Sequence, residues 1–316
     1  MRWLIVGAGG IGLVYGTRLV AIGESVTFVA RGAHLEAMRA HGAAVAHPTF
    51  AFEGPVDAVD VATLRSDRDP GAFDAVLVAL KAYQVRDVLQ EVGPWLARGD
   101  APVVSLQNGV DAEAWIADGV GGARTLGGVA AGVGAHVVAP GRVEARGEAR
   151  LVLGPWPDGR RGEADPYEAQ ALADAFERAG VPATSTQRIE AELWRKWMTT
   201  VALNPLSAWV DRDPRALIEA PEYAPVVEAI VREVHALGLA SGVPLDAGDV
   251  DATLASIRAL EAVPTSMQVD RARGRPLEVA ATSGAVRARA AERGVPVPTT
   301  AWVDAGLRGE ADVVVG

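Results

Sequence analysis

A glycine-rich turn, Gly7-Ala8-Gly9-Gly10-Ile11-Gly12, constrains this chain more than any other feature. It follows an apolar run, Trp3 to Val6. It opens a stretch, Ile11 to Ile22, whose apolar residues recur at helical spacing until Gly23. The spacing is G-x-G-x-x-G, in the strand–turn–helix context that the motif requires. The first glycine permits the tight turn. The second lets backbone approach a pyrophosphate, and the third lets helix and strand pack closely. The helix N-terminus then offers N–H groups and a partial positive charge to an anion. Gly7, Gly9, Gly10, Ile11 and Gly12 are therefore candidate dinucleotide-binding residues.

The pattern that follows extends the same architecture. Ser25 to Val29 is a β-branched strand, Ala33 to His41 a helix closed by Gly42, and Ala75 to Leu80 a continuous apolar run of the buried parallel kind. Tyr83 to Ala97 is an amphipathic helix interrupted near Gly93-Pro94, and Pro102 to Leu106 the next strand. This βαβ alternation predicts an α/β fold, a Rossmann-type doubly wound parallel sheet covered by helices. Val137-Val138 and Leu151-Val152-Leu153 read as later strands of that sheet. Residues 155–162 read as a turn-rich excursion, Ala164 to Ala179 as a helix and Pro182 to Thr186 as a last strand. From Ile189 the spacing is helical almost throughout, over Ile189–Val201, Pro225–Gly238, Val250–Ala262 and Glu278–Arg293. Two domains are thus expected, 1–187 and an all-helical 188–316, with a frayed tail from Asp312.

Composition removes several classes of function. The absence of cysteine excludes disulfides, zinc–thiolate sites, iron–sulfur clusters and cysteine nucleophiles. The five histidines are scattered, which argues against a catalytic zinc. A net charge of −10 disfavours nucleic acid as a partner. No apolar run approaches the roughly 20 residues of a membrane span. The start, from Arg2 through Tyr15, has the outline of a weak export signal, but the glycine spacing and Arg18 argue otherwise, so the chain is expected in the cytoplasm.

The second strand chooses the nucleotide. An NAD site usually carries Asp or Glu at its end, holding the ribose 2′-hydroxyl. Here the strand ends Thr27-Phe28-Val29-Ala30-Arg31 with no acid. The Arg31 guanidinium suits a 2′-phosphate, so NADPH/NADP+ is the expected cofactor. His34 reads as a surface residue, with contact to the same phosphate as the alternative. Basic residues are otherwise almost all arginine. The chain has only two lysines, Lys81 and Lys196, and only two asparagines, Asn108 and Asn204. Lysine can give up its proton and arginine cannot. Lys196, Thr200 and Asn204 are spaced i, i+4, i+8 and share one helix face, flanked by Trp194, Trp197, Val201 and Leu203. A carbonyl reduced by hydride builds charge on oxygen, and in this chain lysine is the remaining good proton donor. Glu278, opening its helix, is also where a helix dipole favours a carboxylate. Asp270 is four residues after Ser266 and within reach of Arg273, while Arg271, Arg273 and Arg275 read as a solvated basic patch.

Across nearly its whole length the chain resembles the ketopantoate reductase (2-dehydropantoate 2-reductase) family. The resemblance rests on G-A-G-G-I-G at 7–12, V-A-R-G at 29–32, L-K-A-Y-Q at 80–84, Q-N-G-V at 107–110, W-R-K-W at 194–197, N-P-L-S-A at 204–208, T-S-M-Q-V-D at 265–270 and Glu278. It implies a Rossmann domain that binds NADPH, a helical domain that closes over it, and reduction of a small 2-oxo acid to a 2-hydroxy acid. By the same resemblance Lys196 is the general acid and Glu278 orients substrate or lysine. Ser266 is a substrate-carboxylate ligand, and Asn204 and Thr200 lie on the substrate side. Lys81, Gln84 and Asn108 lie on the cofactor side, and a homodimer is common.

Two departures fall on the substrate side. The family usually has Asn where this chain has Thr200. It commonly has a further Asn about ten residues after the N-P-L asparagine, where this chain reads Asp211-Arg212-Asp213-Pro214. A missing hydrogen bond to a polar substrate can change selectivity strongly. Three readings therefore stand: ketopantoate reduction to pantoate, reduction of a different 2-oxo acid or related carbonyl, and a non-catalytic NADPH-sensing protein on the same fold.

Overall fold

A computed structural model describes residues 1–157 and 166–309. Most of the excursion expected at 155–162, the start of the helix expected from Ala164 and the tail from Asp312 lie outside the described residues. The chain separates into two compact units, Met1–Gln107 with Asp111–Ile189, and Asn108–Val110 with Glu190 onward.

The first unit is built on one sheet. Its strands are β1 (Arg2–Val6), β2 (Ser25–Val29), β3 (Ala43–His47), β4 (Phe50–Gly54), β5 (Asp57–Val59), β6 (Ala75–Val78), β7 (Val103–Ser105), β8 (Thr125–Ala139), β9 (Arg142–Pro155) and β10 (Ala183–Ser185). The order is β4-β3-β9-β8-β7-β6-β1-β2-β5, with β10 beside β9. From β5 through β2, β1, β6 and β7 to β8 every pairing is parallel. That is the doubly wound order, and the chain changes its direction of progress across the sheet between β1 and β6. Ligands of such sheets bind beyond the carboxyl ends of the strands at this switch point, where the Gly7–Gly12 turn begins.

β1 shows why the order holds. Trp3 and Ile5 pack on one face with Leu13, Tyr15 and Phe176. Leu4 and Val6 pack on the other with Val85, Leu89, Trp95 and Ile116. All four strand side chains are buried, which requires helices on both faces. Helices Gly10–Ala21 and Pro166–Arg178 supply the first layer, and Ala82–Leu96 and Ala112–Val120 the second.

The sheet is parallel-rich rather than parallel throughout. The two apolar runs expected as later strands are parts of a long antiparallel pair, β8 with β9. The unpredicted hairpin β3–β4 joins β9 through β3. The helix Ala82–Leu96 also runs straight through Pro94, where an interruption was expected. Pro94 deprives only the Gln90 carbonyl of its helical donor. Gln90 is exposed to water, and Trp95 and Leu96 remain anchored in the core.

In the second unit, every regular element among the described residues is helical. Helix Ile189–Val210 continues past the expected end at Val201 and through Pro205, because Val201, Ala202, Leu203, Leu206 and Ala208 are all buried. The helix expected over Glu278–Arg293 is broken instead. A 3-10 turn, Val279–Ala281, is followed by Thr282 in a non-helical conformation, and the α-helix starts at Ser283. Glu278 therefore precedes a single short turn rather than opening a long helix dipole. No helix among the described residues is long and apolar enough to cross a membrane.

Two carboxylates, Glu233 half-buried and Asp304 buried, tie the last helices together. Glu233 accepts from the N–H groups of Thr299 and Thr300 at 2.8 Å each, capping helix Pro298–Leu307 from outside it. Asp304 is wholly buried and accepts from Ser283 Oγ at 2.8 Å, from Arg308 Nε at 3.0 Å and from Arg287. Burial alone would push this carboxyl up, but hydrogen bonds from Arg287, Ser283 and Arg308 outweigh it and hold the value below the ordinary aspartate range. A depressed folded-state value stabilises the fold above the unfolded value and loses that contribution as pH falls through the folded one. D304N is expected to cost about 2 kcal/mol at neutral pH. The gap between wild type and D304N in urea titrations should narrow as the medium is acidified below about pH 4.

Candidate functional site

In the first unit, the glycine turn is set by approaches that leave no room for a side chain. Gly7 has φ +107, and a Cβ there would lie 2.8 Å from the Ala79 carbonyl oxygen at the end of β6. A Cβ at Gly12 would lie 2.0 Å from the Gly7 carbonyl oxygen, so helix Gly10–Ala21 starts directly against the turn. Gly9, the N-cap, is different: nothing lies within 4 Å of where its Cβ would be. The open side of the turn is thus at Gly9. The first turn of the helix leaves the N–H groups of Gly10, Ile11 and Gly12 without intrahelical acceptors. Open space beside unpartnered backbone donors fits a pyrophosphate.

Arg31 follows β2 as N-cap of helix Gly32–His41 and is exposed. Among the described residues its guanidinium makes no hydrogen bond or ion pair. Lys81 is the half-buried N-cap of helix Ala82–Leu96, at the carboxyl end of β6, and its carbonyl accepts from the Gln84 N–H at 2.8 Å. The strand ends thus place Gly7–Gly12, Arg31, Lys81 and Gln84 at the carboxyl edge of β1, β2 and β6. Gln107 belongs to the Q-N-G-V motif, and the sequence assigns it no separate role. It is buried, donates to the Val78 carbonyl at 2.6 Å and accepts from Ser105 Oγ at 2.7 Å, linking the ends of β6 and β7 just before Asn108.

The second unit gathers the other polar residues. Lys196, Thr200 and Asn204 lie on helix Ile189–Val210, each half-buried, while Trp194, Trp197, Val201 and Leu203 are buried around them. Thr200 Oγ1 donates to the Lys196 carbonyl at 3.0 Å, so its single proton is used within the helix and its lone pairs remain. Asn204 Nδ2 donates to Ser266 Oγ at 3.4 Å. Glu278 is buried, and its Oε2 accepts from Asn108 Nδ2 at 3.5 Å. The structure therefore pairs Asn204 with Ser266, and Asn108 with Glu278.

Trp197 links these parts, a role not foreseen from the sequence. Its indole N–H donates to the Ala281 carbonyl at 2.9 Å, holding the turn after Glu278 against the helix that carries Lys196. A Cβ at Gly109 would sit 3.3 Å from the same carbonyl oxygen, which brings the Asn108 loop to the same point. Asp270 is buried and forms an ion pair with Arg275 at 3.5 Å, while the Arg275 backbone N–H donates to the Asp270 carbonyl at 2.8 Å. This fixes the loop between Ser266 and Glu278. Arg271 donates to the Ala208 carbonyl at 2.9 Å. Arg271 and Arg275, read as part of a solvated patch, are thus exposed but structurally engaged.

The departing segment at 211–214 has work of its own. Asp213 Oδ1 accepts from the Ala216 N–H at 3.0 Å and caps helix Pro214–Glu219, with Pro214 in its first turn. Asp211 has φ +52 and accepts from Gln268 Nε2 at 2.9 Å, two residues beyond Ser266. Among the described residues, no group of three or more His, Asp or Glu is placed to hold a metal ion.

Known proteins share the sequence pattern and fold of this chain. The family model described as "Ketopantoate reductase PanE/ApbA" matches residues 3–158, and its C-terminal counterpart matches residues 188–309. A 2-dehydropantoate 2-reductase of Mesorhizobium japonicum is 31% identical, over 95% of this chain and 94% of the relative. The crystal structure of 2-dehydropantoate 2-reductase from Geobacter metallireducens GS-15 is 29% identical, with a TM-score of 0.84 over 98% of this chain and 99% of that one. A D-mandelate dehydrogenase solved with NADH and anilino(oxo)acetate shares the fold at 22% identity, with a TM-score of 0.87 over 98% of each chain. Both halves of the chain match the family models, so this protein belongs to the ketopantoate reductase family of nicotinamide-dependent oxidoreductases.

Proposed function

We propose that this protein reduces a 2-oxo acid to the corresponding 2-hydroxy acid with NADPH, and that ketopantoate is the substrate, giving pantoate. The observation that carries the reading is the polar set of the second unit: one lysine, one buried carboxylate and a hydroxyl–amide pair on a frame of buried tryptophans. Gly7–Gly12, Arg31, Lys81 and Gln84 would hold the dinucleotide, which supplies a hydride when bound. Arg31, exposed and without a hydrogen bond or ion pair among the described residues, would take the 2′-phosphate that NADPH has and NADH lacks.

Lys196 Nζ donates a proton to the carbonyl oxygen as negative charge builds there, and its cationic form stabilises that oxygen before transfer. Glu278 orients the substrate or the lysine, and Asn108 Nδ2 steadies Glu278. Ser266 donates its hydroxyl to the substrate carboxylate. Asn204, bonded to Ser266 Oγ, orients that hydroxyl. A residue pattern with a proton donor and an orienting carboxylate is more than a dinucleotide sensor requires. Cytoplasmic location and a homodimer complete the reading by family resemblance.

A second reading keeps the chemistry and changes the substrate. Thr200 stands where the family usually has Asn, its proton is committed to the Lys196 carbonyl, and the 211–214 segment is engaged in capping and in holding Gln268. These observations favour a 2-oxo acid with fewer polar groups than ketopantoate. Steady-state oxidation of NADPH with ketopantoate beside a panel of alkyl and aryl 2-oxo acids separates the two. A kcat/KM of about 10⁴ M⁻¹s⁻¹ or more on ketopantoate is the expected result. Silence on ketopantoate with turnover of another acid establishes the second reading, and T200N should then shift selectivity towards ketopantoate.

K196A is expected to lower kcat by about 10²–10⁴-fold while leaving NADPH affinity unchanged. Near wild-type kcat in that variant would remove lysine from the mechanism. R31A should raise the Kd for NADPH by about 10- to 100-fold and that for NADH by less than about threefold. Equal losses for both nucleotides would remove the basis for NADPH preference.

A further inference from the structure

Within the glycine turn, the Ala8 carbonyl is held by a side chain that the proposed reaction does not use. His34 lies in the first turn of helix Gly32–His41, half-buried, with Nε2 2.7 Å from the Ala8 oxygen. Its other ring nitrogen, Nδ1, receives the N–H of Gly141 at 3.1 Å, from the turn joining β8 and β9. A backbone N–H only donates and a carbonyl only accepts. These two partners therefore select one form of the ring: Nδ1 bare, Nε2 carrying hydrogen, and no net charge. The imidazole is a strut between the β8–β9 turn and the dinucleotide turn.

Two further contacts restrain the same peptides. A Cβ at Gly10 would lie 2.3 Å from the Ala135 carbonyl oxygen, so the β8 backbone packs directly on the first residue of the helix. From the opposite side, the N–H groups of Gly7 and Ala8 both donate to the Val29 carbonyl, at 3.2 and 3.1 Å. The turn is held by β2 through Val29 and by the β8–β9 hairpin through His34 and Ala135.

We propose that His34 is a positioning residue for the dinucleotide turn, setting the Ala8 peptide so that the following N–H groups meet the pyrophosphate. The proposal rests on the reading of Gly7–Gly12 as the dinucleotide site. It also separates His34 from the nearby Arg31. Both ring nitrogens are engaged with backbone, so the ring has no donor left for a 2′-phosphate. Its contribution falls on the pyrophosphate, which NADPH and NADH share.

The test measures the Kd of both nucleotides by fluorescence titration, with kcat at saturating cofactor, for wild type, H34F and H34Q. H34F keeps a ring and removes both hydrogen bonds. H34Q can still donate through its amide nitrogen and accept through its amide oxygen. The expected result is a Kd raised about tenfold for NADPH and by the same factor for NADH in H34F. Turnover at saturation should stay within about twofold of wild type, and H34Q should recover most of the affinity. Should H34F fail to fold, H34M, which is neutral and likewise removes both hydrogen bonds, must weaken both nucleotides equally. Wild type that binds neither nucleotide overturns the cofactor reading itself. Wild type that binds both, with affinities unchanged in H34F, overturns the strut alone. A loss confined to NADPH would make His34 a 2′-phosphate ligand and also overturn the proposal.

Discussion

One close approach governs the carboxyl end of β1 in the sheet. The helix that follows β1 starts so near the strand that a side chain at Gly12 would collide with the Gly7 carbonyl oxygen at 2.0 Å. That proximity points the free N–H groups of a helix N-terminus at one small volume and leaves Gly9 open beside it. It depends on β1 being held from both faces. Trp3 and Ile5 on one side and Leu4 and Val6 on the other are all buried, so the strand cannot shift to admit a larger residue. Burial of a parallel strand and an open helix N-terminus at its end are thus one arrangement.

The second unit solves a different problem, which is to hold several polar side chains half-buried without collapsing them onto one another. It uses aromatic residues as the frame. Trp194 and Trp197 pack edge to face at 4.9 Å, and the Trp197 indole carries a hydrogen bond to the Ala281 carbonyl. An aromatic ring fills volume with few rotatable bonds, and its N–H fixes a direction. The turn after Glu278 and the Asn108 loop both meet at Ala281, so the carboxylate is positioned by backbone rather than by its own flexible stem.

Much of this was legible in the residues. The glycine turn, the strand–helix alternation around β1, β2 and β6, and the helical spacing after Ile189 each follow from local periodicity and are found in the structure. Lys196, Thr200 and Asn204 share one helix, as their spacing predicts. Three features were not legible. The hairpin β3–β4 was missed because Ala43 to Gly54 carries little regular alternation, and its place is set by pairing with the distant β9. The break after Glu278 was missed because Val279, Ala280 and Ala281 suit a helix; long-range contacts of Ala281 hold the turn there. The continuity of helices through Pro94 and Pro205 depends on core packing that outweighs one lost backbone bond at each.

Histidine 34 marks the boundary between the two kinds of information. By sequence alone it is a residue near an arginine, with a surface role or a phosphate contact as the alternatives. Only the fold brings Ala8 and Gly141 to its two nitrogens, across 26 and 107 residues of chain. The residues by themselves determined the class of fold, the dinucleotide turn and the inventory of proton donors, because these rest on periodicity, glycine sterics and side-chain chemistry within short windows. The tertiary structure decided which polar groups meet and which are already spent on backbone partners. Hydrogen bonds between distant segments leave no local pattern, since their donors and acceptors are present in every stretch of chain.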